Sequence, residues 1–211
     1  MSETISLTNA IGEILSAVSK DSTFPDPDYL AYHQLLKERI IYLEMEVGEA
    51  MLRFHKQILL WNMEDCGIPT EQRKPIRIVI MSYGGSTDYM WLLIDAIQAS
   101  VTPVYTYNIG CAHSSAGLIF MAGSKRFMMK NATVIIHEGS AGFNGDAVKV
   151  MDASESYKKM LVQMKEYIVR KTRISKTTLA HKHSNDWKLN AKECLTYGVC
   201  DQIIETLDII L

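Results

Sequence analysis

The chain has 211 residues, 47% of them apolar, which is enough for one globular domain with a buried core. Its 22 Lys and Arg are mixed with 24 Asp and Glu for a formal net charge of −2, and no basic block exists, which argues against a nucleic-acid partner. No apolar run reaches the roughly 18 residues that span a bilayer, and the opening "MSETISLTNAIGEIL" lacks the basic start of a secretory signal, so a cytoplasmic location without membrane contact is expected.

Residues 7–18 set Leu7, Ile11, Ile14, Leu15 and Val18 on one helical face. "STFPDPDY" follows, broken by Pro25 and Pro27, and reads as a linker. Residues 1–34 are therefore expected to form an appendage or interface helix ahead of a domain spanning 35–211. "ERIIYLEMEV" reads as a strand, and residues 49–63 as a helix with Met51, Phe54, Ile58 and Trp61 inward. "IRIVIM" (76–81) is a near-continuous apolar run of the kind buried on both faces of a parallel sheet. It stops at "SYGGST", and a helix continues through Leu92, Leu93 and Ile97.

The pattern then repeats. "VYTYNI" (104–109) reads as a strand, "GCAHSSAG" as a turn, and an apolar helix runs to Gly123; "RFMM" and "TVIIH" are two more short strands. Strands alternating with helices predict an α/β fold of βαβ units, whose sites lie at the carboxyl ends of the strands. A long helix is predicted over 146–171, with Val148, Met151, Met160, Leu161, Met164 and Ile168 at helical spacing. It either projects toward another subunit or lies along the core. Asn190 with Glu193 makes a capping box, Gly198 a helix stop, and "VCDQII" a last strand.

Three segments carry candidate chemistry. "YGGS" (83–86) suits a plain tight turn or an anion hole built from backbone N–H groups. In "GCAHSSAG", Ser114 and Ser115 are equally helix-capping hydroxyls or nucleophiles on local grounds. "VIIHEG" puts His137 at the end of a buried strand, where it is either a satisfied side chain or a general base. His181, His183 and Asp186 resemble a metal set, but no third strong ligand motif supports one, and neither a metal nor a cofactor is expected. Cys66, Cys111, Cys194 and Cys200 form no CxxC pair and read as free thiols, with Cys111 in a packing role.

In order, these segments resemble the proteolytic subunit of the Clp protease, a caseinolytic serine peptidase. "LLKERIIYL" (35–43) resembles its first-strand segment and "YGGST" its P-G-G-S turn, with Tyr83 for Pro. "GCAHSSAG" is similar to G-x-A-A-S-M-G, "MAGSKRF" to A-G-x-K-G-K-R-F with two residues deleted, and "VIIHEG" to V-M-I-H-Q-P. "NDWKLNAKECLTYGVCDQI" resembles the closing segment with its catalytic Asp. The likeness covers residues 35–205.

The resemblance implies a crotonase-like spiral of βαβ units with a projecting handle helix, here 146–171. It makes Ser114 the nucleophile, His137 the general base and Asp186 the orienting carboxylate. Gly85 and Ser115 fall where the family takes its oxyanion N–H groups, and His113 becomes part of the wall. "GFNGDA" (142–147) resembles a strand that contacts substrate backbone, which nominates Gly142, Phe143 and Asn144. Implied partners are copies of the same chain in heptameric rings, stacked as a tetradecamer, an AAA+ unfoldase, and a polypeptide substrate.

The departures are specific. Gly139 stands where the family has Pro, Ser115 where it has Met, and Ser184 and Asn185 where it often has an acidic–basic pair. The first 34 residues do not match its axial hairpin. These differences suggest a divergent member, phage-associated or accessory. The alternatives are a non-catalytic ring subunit, a protease acting without an unfoldase, or an acyl-CoA enzyme on the same fold.

Overall fold

A computed structural model describes residues 26–182 and 186–210, so the helix expected over 7–18, together with His183, Ser184 and Asn185, lies outside the described residues. The chain divides into two units between Gln34 and Leu35. Helix α1, Pro27–Lys37, replaces part of the expected linker. Pro27 suits the first helical position, where no amide hydrogen is needed, and the Asp26 carboxylate accepts from the Asp28 N–H at 3.0 Å.

In the second unit, β1 is only Ile40–Leu43, shorter than the run 38–47 suggests. Helix α2, Met51–Glu64, buries Met51, Phe54, Ile58 and Trp61, the stripe expected from spacing. Strand β2, Ile76–Ser82, leads to α3, Thr87–Ala99; β3, Val104–His113, leads to α4, Ser115–Ala122. Strands β4, Lys125–Met129, and β5, Thr133–Ile136, precede the long α5, Ala147–Lys171. A short α6, Lys176–Lys182, was not evident from spacing, nor was β6, Trp187–Asn190. Helix α7, Ala191–Thr196, has the expected capping box, and β7, Gln202–Ile204, closes the sheet.

The sheet runs β1-β2-β3-β4-β7, all parallel, with β5 parallel on β3 and β6 antiparallel on β5. It is buried on both faces, as the apolar run of β2 requires. Ile76, Ile78 and Ile80 join the larger core under the helices, and Val79 joins a smaller one with Ile40, Tyr107 and Ile204. Helix α4 is buried at every residue, so it has no polar face to show. Helix α5 buries only Met164, Tyr167 and Ile168, near its C-terminal end; Val148 and Met151 of the expected stripe are 67% and 72% exposed. Among the described residues no helix is long and apolar enough to cross a membrane.

One irregularity positions the site. Strand β3 pairs with β4 over Tyr105–Asn108 and with β5 over Cys111–His113. Between these stretches the register with β2 jumps: Ile80 faces Asn108, yet Ser82 faces Ala112, so two steps on β2 match four on β3. The bulge makes β3 longer than the apparent strand 104–109, since "GCAH" continues it rather than turning. The fully buried Asn108 holds the bulge, its Nδ2 donating to the Thr133 carbonyl at 3.0 Å and its Oδ1 accepting from Gly110 N at 3.2 Å.

Asn108→Ala strips both partners from half-buried backbone groups. Urea unfolding at fixed protein concentration should show a loss of about 1–3 kcal/mol; an unchanged midpoint would mean that the bulge holds itself.

Candidate active site

The strand-to-helix turn after β3 falls on a single residue. Ser114 has φ 53 and ψ −129, a conformation sparsely populated by any residue with a Cβ. Its backbone is pinned on both sides: Ser114 N donates to the Ile135 carbonyl at 2.9 Å, and its own carbonyl accepts from Gly117 N at 2.9 Å. The Ser114 hydroxyl does not cap α4, so it is not spent on the helix end. Ser115, the first helical residue, has no intrahelical acceptor for its N–H.

The glycine turn after β2 is fixed against the loop that follows β1. Val47 N donates to the Gly84 carbonyl at 2.8 Å, and Ser86 N donates to the Val47 carbonyl at 2.7 Å. The Ser82 hydroxyl donates to the Met45 carbonyl at 2.6 Å and accepts from Gly84 N at 3.2 Å. Gly85 lies between these bonds with φ 149, a left-handed-side conformation that favours glycine. A Cβ there would strike the Val47 carbonyl oxygen, and one on Gly84 would lie 2.8 Å from both the His113 carbonyl oxygen and Ser114 Cβ. The two glycines thus let three backbone segments meet in van der Waals contact.

His137 follows β5, and Asp186 precedes β6. Antiparallel pairing of these strands, with Ile136 opposite Trp187, sets the two side chains side by side. His137 Nδ1 is 3.0 Å from Asp186 Oδ1; the side chains are 30% and 72% exposed. This contact selects the imidazole tautomer with hydrogen on Nδ1 and leaves Nε2 free to accept a proton. Nε2 is buried and has no hydrogen-bond partner among the described residues, so no hydrogen bond joins it to Ser114.

Gly85, Ser114, Ser115 and His137 line one cleft of ≈440 Å³, together with Thr87, Tyr157, Met160 and Met164. The arrangement offers a hydroxyl at a strained turn, an imidazole backed by a carboxylate, and two backbone amides, a set suited to acyl transfer. Met160 and Met164 stood in the expected stripe of α5 without a functional sign, and nothing in the sequence marked Tyr157. Gly142, Phe143 and Asn144 are exposed in a segment with no strand and are not among the residues lining the cleft. Phe143 lies near it, with its ring edge-on to Tyr157 at 6.0 Å.

His113 and Cys111 have other duties. His113 Nε2 is 2.9 Å from the Thr133 hydroxyl, and its ring is edge-on to Tyr83. Burial, with Lys188 and His137 nearby, pushes its pKa down, so it stays neutral near pH 7. Burial pushes the Cys111 thiol up, away from the reactive thiolate. Among the described residues no cluster of His, Cys, Asp or Glu could hold a metal, and Asp186 faces His137 rather than joining His181.

The Clp protease family model matches residues 26–207. The chain is 35% identical over 173 residues to ATP-dependent Clp protease proteolytic subunit 2 of Treponema denticola, covering 81% of this chain and 84% of that one. It is 30% identical over 178 residues to the protein of the same name from Corynebacterium diphtheriae, covering 83% and 86%. It is 27% identical over 191 residues to ATP-dependent Clp protease proteolytic subunit 1 of Bacillus cereus, covering 89% and 96%.

Gly85→Ala must push the turn off Val47, and chemical unfolding should register a loss of about 1–3 kcal/mol. Gly142→Ala, where a Cβ meets nothing within 4 Å, serves as the control and should cause no loss. Equal midpoints for the two variants would show that the turn is not confined as described.

Proposed function

The chain belongs to the Clp protease family, and from that premise we propose that it is a serine-type peptidase subunit cleaving unfolded polypeptides. The observation that carries this reading is the His137–Asp186 pair at 3.0 Å, opening on the same cleft as Ser114 at its strained turn.

Ser114 Oγ attacks the scissile carbonyl carbon, and its proton passes to His137 Nε2. The imidazolium that forms is stabilised by Asp186, which stays ionised. The carbonyl oxygen, now negative, is held by the N–H groups of Gly85 and Ser115. The Ser115 donor is backbone, so the replacement of the family's Met leaves it in place. Collapse of the tetrahedral intermediate breaks the C–N bond, and His137 returns the proton to the leaving amine. A water molecule then gives a proton to His137 and attacks the acyl carbon, and as the C–Oγ bond breaks His137 returns that proton to Ser114 Oγ, releasing the acid and free Ser114. No metal or cofactor takes part.

The substrate backbone runs along Gly142, Phe143 and Asn144, whose exposed amides and carbonyls are available to pair with an extended chain. The assembly is a ring, heptameric and stacked in pairs through α5 as a tetradecamer, with an AAA+ unfoldase supplying chains in the cytoplasm. The uncovered Val148 and Met151 on α5 support a subunit contact there. The unmade Ser114–His137 bond suits a centre completed on assembly or on substrate binding, since catalytic hydrogen bonds often tighten only in the complex.

On an unfolded protein substrate, Ser114→Ala should lower turnover by about 10³-fold or more and Asp186→Asn by about 10²-fold or more, while Ser115→Ala keeps most activity. Wild-type turnover by Ser114→Ala would refute the nucleophile. An assembled wild type that cleaves nothing would favour a non-catalytic ring subunit.

A further inference from the structure

His137 is held by Asp186 on one side, but the chain beyond it has no regular structure until α5 begins at Ala147. The family resemblance places a Pro two residues after the His, which would stiffen this exit. Here Gly139 has φ +77, a value closed to Pro, whose ring fixes φ near −65°. Something else must restrain the segment.

Two side chains of α5 reach it. The Tyr157 hydroxyl donates to the Glu138 carbonyl at 2.8 Å, and Lys165 Nζ is 2.7 Å from Glu138 Oε1. Between them on the helix, Leu161 and Met164 face Ile136 and His137 across a cavity of only ≈10 Å³, so the imidazole has little room to retreat. The same stretch of α5 is fixed to the other half of the site: the Tyr167 hydroxyl donates to the Leu118 carbonyl in α4 at 3.1 Å, and α4 begins at Ser115. One rigid helix segment therefore spans the base and the turn that carries the nucleophile.

We infer that Lys165 and Tyr157 are positioning residues that, through Glu138, set His137 against Ser114. The inference rests on the peptidase reading of these residues. Lys165 does not line the cleft, and its charged end reaches the segment at Glu138. Its ion pair adds little to stability, since both side chains are 37% exposed. Positioning and stability thus separate cleanly at this residue.

The test compares Lys165→Met, Lys165→Arg and Tyr157→Phe in the full chain. The readouts are steady-state cleavage of a short fluorogenic peptide, thermal unfolding, and hydrogen exchange at the His137 ring C2 position by mass spectrometry. Lys165→Met should lower kcat about tenfold with KM within about twofold, keep Tm within about 2 °C, and speed His137 ring exchange. Lys165→Arg should restore the wild-type values, and Tyr157→Phe should repeat the kcat loss. Wild-type kcat and ring exchange in Lys165→Met would overturn the inference, as would a kcat loss matched by a Tm drop that Arg does not rescue. If the wild type cleaves nothing, the peptidase reading fails, and the ring exchange alone decides the positioning.

Discussion

On the edge turned away from β2, strand β3 does not keep one neighbour along its length. It pairs with β4 through Asn108 and with β5 from Cys111, and the exchange happens at a bulge held by one buried amide. Without it, β3 would run on beside β4 and Ser114 would emerge away from β5. With it, Ser114 N bonds to Ile135 and the strand that carries His137 is delivered to the turn. The antiparallel β6 then brings Asp186 to the far side of the imidazole. Three residues spread over 73 positions are thus collected by pairing rules and one local defect.

The site's electrostatics are lopsided. Gly85 and Ser115 sit on backbone fixed by neighbouring hydrogen bonds, so the donors proposed there would need no rearrangement. The His137–Asp186 contact is largely solvated at Asp186, where water weakens it. Among the described residues the contact left unmade is the one from His137 Nε2, on the proposed acid–base side. The clamp from α5 onto Glu138 acts on that side, in a chain that lacks the stiffening proline.

The strongly patterned parts of the fold were legible in the sequence. The Met51, Phe54, Ile58 and Trp61 stripe, the buried run of β2 and the Asn190–Glu193 capping box each follow from a local rule that tertiary structure did not override. Pro27 looked like a breaker because the same residue that stops a helix also starts one. "GCAH" looked like a turn because small residues also suit a bulge. Strand β6 was missed although Trp187, Lys188, Leu189 and Asn190 alternate apolar and polar, because the run is only four residues long and follows a polar stretch. The nearness of His137 to Asp186 was invisible to spacing, which does not encode strand pairing across about fifty residues. Only the family resemblance linked them, and it offered no sign of Tyr157 or Lys165, whose contacts depend on where α5 crosses the end of β5.

The proposed reaction turns on one oxygen atom, so the most direct measurement is the site of a covalent adduct. The protein would be treated with a fluorophosphonate, digested and sequenced by mass spectrometry. The structure leads us to expect a single adduct on Ser114, absent when His137 is replaced by Ala. An adduct on Ser115, or none on an assembled protein, would contradict it.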